Sequence, residues 1–386
     1  MKFTFYLIIF SLLFSCSKKN QNTAVVSEHD PIEKVEEKIE YPIFHKNSSI
    51  PEKKIDIECN LITKIDYSCE KTENLSVSDF SLDSVNNFYF LDGEKCKIFK
   101  TDSLGNMIKV FSRRGSGPGE TTNPVFIRIV SDTIFVGDHQ QKKIIRYDLN
   151  GNFLSEKKSD DLNLETELDK GHLLSRFQKF ENTEKNSKLI HGFQIRESKT
   201  DTIPTILWSD ERELPFISYG RDFSPVIKAD KSKIYIGDIS ENQFLINVFD
   251  ASGLKTGVIT KPYAKISYNQ FDSKYHREKG VLSYGPANYK DLPEIKNKLA
   301  LHDMMIDKDK NLWVYPAVER NEKNRSICYV DIFKEGKYLS RSELSVLDSC
   351  TQWNSGKYIS LRKDKMYIKD IFSNCLLVYE YNLVEK

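Results

Sequence analysis

One motif returns along this chain, and it restricts the folds available to it. A polar turn carrying aspartate leads into a short apolar run that often closes on a second acid. Leu82–Asp92 is the clearest copy, and Ser131–Asp138, Asp230–Asp238, Asp307–Val314 and Lys363–Asp370 repeat it, with a weaker version at Asp169–Leu174. The turn aspartates are Asp83, Asp132, Asp169, Asp230, Asp307 and Asp364. Each clear unit has a second half. Lys97–Lys100, an Asp102-Ser-Leu-Gly turn and Met107–Phe111 follow the first, and Ile144–Asp148 with Leu149–Asn152 follows the second. Apolar strand, Asp-x-x-Gly turn, apolar strand is the signature of a β-hairpin. Each unit therefore predicts four short antiparallel strands, and repetition of such units points to a β-propeller.

Six units predict an all-β fold, a six-bladed β-propeller of four-stranded antiparallel blades occupying residues 55–386. Ile55–Ile65 precedes the first unit and is expected to close the ring by pairing with the last blade, which would remove exposed sheet edges. The interval from Asp230 to Asp307 leaves room for a seventh blade as the competing count. The 23 Phe and 19 Tyr suit strands, where aromatic side chains pack on a pleated surface. Lys and Arg number 57 against 56 Asp and Glu, and a net charge of +1 provides no field to gather nucleic acid, so none is expected as a partner.

The N-terminus reads as an address. Met1-Lys2 precedes an apolar run from Phe3 to Phe14, too short for a mature membrane span but suited to a secretory leader over residues 1–15. Leu13-Phe14-Ser15-Cys16 resembles the bacterial lipobox, which implies cleavage before Cys16 and a lipid on its thiol. Residues 16–54 are polar and charged, contain Pro31, Pro42 and Pro51, and read as a flexible tether. Ser17, Lys18 and Lys19 lack the acidic residues of a surface-export signal. The expected location is the cell envelope, as an outer-membrane lipoprotein on the periplasmic face rather than the cell surface. Six cysteines remain after Cys16. Cys59 and Cys69 are placed to staple a hairpin, whereas Cys96, Cys328 and Cys375 sit in apolar runs that suit free thiols.

Phe111–Glu120 contains Gly115-Ser-Gly-Pro-Gly-Glu120, which resembles the blade-joining segment of NHL-type propellers. Val136-Gly137-Asp138 and Lys143–Asp148 also follow that blade pattern. With the lipobox, the chain resembles the six-bladed NHL- or TolB-like propeller lipoproteins of the Bacteroidetes. The resemblance is strongest over residues 82–154 and implies a fold far more than a function.

A propeller's inter-blade loops share one face, and here they are read as 112–125, 156–166, 205–226, 260–302 and 342–357, with a short helix expected after Pro293. Long loops in a compact domain carry function, and aromatic residues with arginine suit binding surfaces. The candidate ligand-binding residues are Arg113, Arg114, Glu120 and Asn123 on the loop entering blade two, with Tyr219, Arg221, Tyr284, Tyr289 and Trp353 on the longer loops. The sequence holds no HExxH, GxSxG or CxxC pattern, and Asp307-x-Asp309-x-Asn311 lacks the glycine of a calcium loop, so it reads as a plain turn. No catalytic residue, metal ligand or cofactor is expected. The expected function is non-catalytic binding of a protein, peptide or glycan through the loop face. The alternative is a metal-dependent lactonase, hydrolase or lyase whose site lies in the central channel, with ligands drawn from several blades.

Overall fold

The computed structural model describes residues 43–386 apart from 68–74, 160, 183–185, 198–203, 221–222, 273–280, 285–293, 326, 348–358 and 371–374. Strands β1 (Ile43–Lys46) and β2 (Ile55–Asp66) precede the first blade. Blade one is β3 (Val77–Leu82), β4 (Phe88–Asp92), β5 (Lys97–Thr101) and β6 (Met107–Phe111). Blade two is β7 (Pro124–Val130), β8 (Thr133–Asp138), β9 (Lys143–Asp148) and β10 (Phe153–Lys158). Blade three is β11 (Asp161–Glu167), β12 (His172–Asn182), β13 (Ser187–Glu197) and β14 (Thr205–Glu213). After β15 (Phe216–Tyr219), blade four is β16 (Val226–Ala229), β17 (Lys233–Gly237), β18 (Phe244–Asp250) and β19 (Lys255–Lys261). After β20 (Val281–Tyr284), blade five is β21 (Leu301–Ile306), β22 (Leu312–Pro316), β23 (Tyr329–Lys334) and β24 (Lys337–Glu343). Blade six takes β25 (Ile359–Arg362), β26 (Lys365–Asp370) and β27 (Cys375–Glu385).

The fourth strand of blade six is β2, paired antiparallel to β27 from Ile55↔Glu385 to Asp66↔Cys375. The ring is closed in the way the sequence suggests, by an N-terminal strand completing the last blade. The residues between β1 and β2 also have a place. Strand β1 pairs parallel with β19 at the outer edge of blade four. Asn47 Nδ2 then donates to Gly336 O at 2.9 Å, and Lys53 N donates to Leu339 O at 2.8 Å in blade five. Part of the stretch read as tether thus runs along the rim and covers otherwise open edges.

The repeated turns are the local reason for the strands. In Asp83–Asn87, Asp102–Asn106, Asp148–Asn152, Asp250–Leu254 and Asp307–Asn311 the aspartate carboxylate accepts the amides two and four residues on. The fourth residue of each turn has positive φ: Asn86, Gly105, Gly151, Gly253 and Lys310. This is a type I turn followed by a one-residue bulge, a standard way to join antiparallel strands. The Asp307 turn is one of them, so its reading as a plain turn holds.

The core lies between blades. Buried apolar side chains fall into six clusters, one at each interface of neighbouring blades. Aromatic pairs bridge several of them. Trp313 meets Tyr381 edge-on at 5.4 Å between blades five and six, and Phe244 stacks on Phe333 at 5.7 Å between blades four and five. Phe88 meets Tyr367 at 5.9 Å between blades one and six. Burying one such side chain contributes about 2 to 3 kcal/mol. Among the described residues the interface of blades two and three has the smallest buried cluster, Phe126, Phe135 and Leu164.

Several expectations need correction. The Asp230–Asp307 interval holds no seventh blade. Beyond the strands of blade four, its described residues supply β20, which pairs with β15 as a two-stranded ribbon, and β21, the inner strand of blade five. Residues 205–213 and 161–167 are strands β14 and β11 rather than loops, because both pair with the long middle strands β12 and β13 of blade three. Residues 294–300 form no helix. Cys59, Cys96, Cys328 and Cys375 are free thiols, and Cys69, the expected partner of Cys59, lies outside the described residues.

Candidate functional site

The loop entering blade two organises itself. Arg113 Nε donates to Glu120 Oε1 at 2.6 Å, and Gly117 N donates to Glu120 Oε2 at 2.8 Å. These contacts, the Gly117 amide first, hold the Glu120 carboxyl below its ordinary range. A Cβ on Gly115 would lie 2.0 Å from Glu120 Oε2, and Gly119 has φ +72 with Phe153 packed against it, so the glycines serve this closure. Arg114 donates to Thr122 O at 3.1 Å and to Glu94 O. Asn123 is exposed, and its amide reaches Asp138 Oδ2 at 3.3 Å. Asp138 ties this loop to the following turn through the amides of Thr122 and Gln141. Burial alone would raise its pKa, but these donations lower it. Arg113, with its side chain 80% exposed, Arg114 and Asn123 are the candidates here that still face solvent.

The remaining candidates are dispersed. Tyr219 ends β15, half-buried, with its backbone opposite Val281. Tyr284 ends β20 opposite Phe216, so two loops that look separate in the sequence meet in one ribbon. Arg221, Tyr289, Trp353 and the lipidation residue Cys16 lie outside the described residues. Beside the ribbon, His191 stacks on Phe223 at 3.8 Å and meets Trp208 edge-on at 5.4 Å.

A cavity also lies elsewhere, on the axis of the ring. A cavity of about 590 Å³ is lined by the inner strand of every blade: Ser81, Arg128, Glu165, Lys228, Met305 and Arg362 represent the six. Its lining clusters near the C-terminal ends of these strands, next to the turns that lead to the second strands. Loops such as 112–123 enter the inner strands at their other ends. The cavity therefore sits toward the face opposite the one the sequence reading favoured.

Its polar groups are mostly held in place. Arg128 Nη1 donates to Asp79 Oδ2 and to Ile127 O, and Arg176 pairs with Glu165. Lys228 Nζ lies 3.7 Å from Asp303. Burial would raise the Glu165 pKa, but Arg176 and Arg128 pull it below the ordinary range. Arg362 Nη2 donates to Phe80 O at 3.2 Å while the guanidinium lies 4.7 Å over the Phe80 ring. Ser360 Oγ is buried without a hydrogen-bond partner. Such fixed polar groups around an enclosed volume can orient a ligand without reorganising. Among the described residues no group of three His, Cys, Asp or Glu could hold a metal ion.

Sequence reasoning passed over these channel residues. Their signal is a single charge inside an apolar inner strand, as in Phe126-Ile127-Arg128-Ile129 and Val226-Ile227-Lys228-Ala229. A charge embedded in a strand just before each Asp turn marks the axis only once the blades are known to form a ring.

Residues 71–206 match the family model DUF5128, described as a 6-bladed beta-propeller. No curated protein matches the chain. Among solved structures, the chain is similar to a protein of Bacteroides fragilis described as exported, at 13% identity, with 88% of this chain and 98% of that chain covered and a TM-score of 0.49. It is similar to a member of the DUF4221 family from Bacteroides vulgatus at 11% identity, with 86% and 99% covered and a TM-score of 0.47. Regucalcin of Agrobacterium tumefaciens, described as calcium-binding, aligns at 12% identity over 78% of this chain and 88% of that one, with a TM-score of 0.38. The family match and the sheet order agree that the chain is a six-bladed β-propeller.

Proposed function

We propose that this chain is an exported, lipid-anchored propeller that binds a ligand without transforming it. The observation that carries the reading is the axial cavity of about 590 Å³, to which all six blades contribute and whose charged groups are mostly held by partners. A volume of this size suits a small molecule, or a side chain or sugar of a larger protein, peptide or glycan partner. On the opposite face the exposed Arg113 and Asn123 and the half-buried Tyr219 would offer a large partner a second, separate surface. Export rests on the apolar run before Ser15-Cys16, and a lipid on Cys16 would hold the chain at a membrane. The envelope and its periplasmic face follow from the residues after Cys16.

The test uses the full chain extracted in mild detergent. It is passed over peptide and glycan arrays, and captured ligands are recovered and weighed by mass spectrometry. Unchanged ligand that no longer binds an Ala229→Trp variant, in which the channel wall is filled, supports the reading. Ligand recovered hydrolysed or rearranged would establish an enzyme instead. Metabolic labelling with palmitate tests the anchor: the label should be absent from a Cys16→Ser chain.

A further inference from the structure

The channel wall carries more positive than negative charge, and the surplus is localised. The lining cations are Arg128, Lys228, Lys231 and Arg362, and the lining acids are Glu165 and Glu167. Most have commitments. Arg128 is taken by Asp79, Glu165 by Arg176 and Lys228 by Asp303, and Glu167 accepts the Ser131 hydroxyl at 3.0 Å. Arg362 and Lys231 are the exceptions. Among the described residues neither has a carboxylate within ion-pair distance.

Arg362 is the deeper of the two. Its contacts with Phe80 engage one carbonyl and one ring, which leaves most of its five N–H donors unused. Ser360 lies two residues earlier, on the same side of β25, and its buried Oγ lacks a partner. Arg128, on the other side of blade one's inner strand, adds a second guanidinium to the same wall. Burial, and then Arg128, pull the Arg362 pKa down to about 10. It remains charged at neutral pH, and the nearest counter-charge that acts on it, Asp79, is already paired with Arg128. A half-buried cation without an ion pair and a buried, unsatisfied hydroxyl side by side are costly unless something occupies the space they face.

We infer that the channel receives an oxyanion, the carboxylate of a small acid or acidic sugar or a phosphate, with Arg362 as its direct contact and Lys231 at its entrance. Guanidinium and hydroxyl donors are suited to such a group, since charge-assisted hydrogen bonds to an oxyanion are the strong ones. The inference rests on the binding reading above and specifies the class of group that enters.

Galacturonate, galactose and inorganic phosphate are titrated into the full chain in mild detergent, with calorimetry and melting temperature as readouts. Galacturonate and galactose differ chiefly by the carboxylate, so the pair isolates charge, and phosphate separates a free inorganic anion from a sugar acid. Galacturonate or phosphate should bind and raise the melting temperature, galactose should not, and affinity should fall as salt rises. Arg362→Gln should weaken binding about tenfold, the loss of one charge-assisted contact. Lys231 is exposed, so Lys231→Gln leaves the fold intact and should weaken binding about twofold; it carries the test if Arg362→Gln unfolds. Equal binding of galactose and galacturonate, or an Arg362→Gln variant with unchanged affinity, overturns the oxyanion assignment while leaving a binding channel. Failure of every anion at millimolar concentration also overturns it, and the arrays then decide separately whether any ligand binds.

Discussion

The indole Nε1 of Trp313 donates to Oδ2 of Asp307 at 3.0 Å, inside a turn whose carboxylate also accepts Asp309 N, Asn311 N and Asn311 Nδ2. Tyr89 makes the equivalent contact to Asp83 at 3.2 Å in blade one. An aromatic donor six residues after the aspartate thus ties the turn to the core. Asp102 caps a similar turn at the rim without an aromatic donor. Asp307→Ala should destabilise the protein by about 2 to 4 kcal/mol, because it strands buried donors. Asp102→Ala should do less than half of that. Urea denaturation of the two variants measures the difference, and equal losses would contradict it.

Lys310 occupies the positive-φ position of the Asp307 turn, where three of the sister turns have glycine. A side chain there is strained. Lys310→Gly should therefore raise stability by about 0.5 to 1 kcal/mol, although glycine mid-strand would lower it. A shift of the denaturation midpoint to lower urea would refute the turn geometry.

Asp331 is fully buried and receives Lys261 from blade four, together with Arg341 and the Tyr338 hydroxyl at 3.0 Å from its own blade. Asp331→Asn leaves two cations without a counter-charge and should cost about 3 to 5 kcal/mol. Lys261→Met should cost less, since Arg341 and Tyr338 still hold the carboxylate. A double-mutant cycle on the pair tests this, and additive losses would mean that Lys261 and Asp331 are not coupled.

His191 predicts a pH response. Burial lowers its pKa from the ordinary 6.5, while Asp210 at 3.4 Å opposes and Arg212 and Arg176 reinforce the shift. The folded state disfavours the imidazolium, so the unfolded chain binds more protons in acid. The His191 contribution is complete above pH 6.5 and is lost as the pH falls below that value toward the folded pKa. His191→Gln should flatten the stability profile between about pH 5 and 7. Parallel profiles for the two proteins would show that His191 does not titrate on unfolding.

Ring closure predicts the effect of truncation. A chain that begins after Asp66 loses β2 and leaves β27 with an open edge. It should melt at markedly lower temperature and associate through that edge, whereas removal of residues 1–39 should leave the melting temperature unchanged. Thermal scans with size-exclusion chromatography check both.

Much of the fold was legible because its rules are local. The Asp turns use side-chain-to-backbone bonds within five residues, and the alternating runs beside them need only a period of two. Blade three was read less well, since its middle strands are about twice as long as most and its turn glycine lies in a weaker copy. The candidate site was largely illegible. Arg113 and Glu120 stood out by chemistry, yet they mainly serve each other. The Phe216 and Tyr284 segments looked like unrelated loops because their pairing spans more than sixty residues.

By itself the sequence determined the repeating unit, the all-β class and the closing role of Ile55–Ile65, since each follows from turn chemistry and hydrophobic alternation. Only the tertiary structure decided that Arg128, Glu165, Lys228 and Arg362 share one wall. These residues come from separate blades, and nothing local in the chain relates them. The same holds for the ion pairing that leaves Arg362 without a carboxylate. Which cation is neutralised depends on how neighbouring blades are rotated about a common axis, and that is set by six aromatic and aliphatic interfaces acting together.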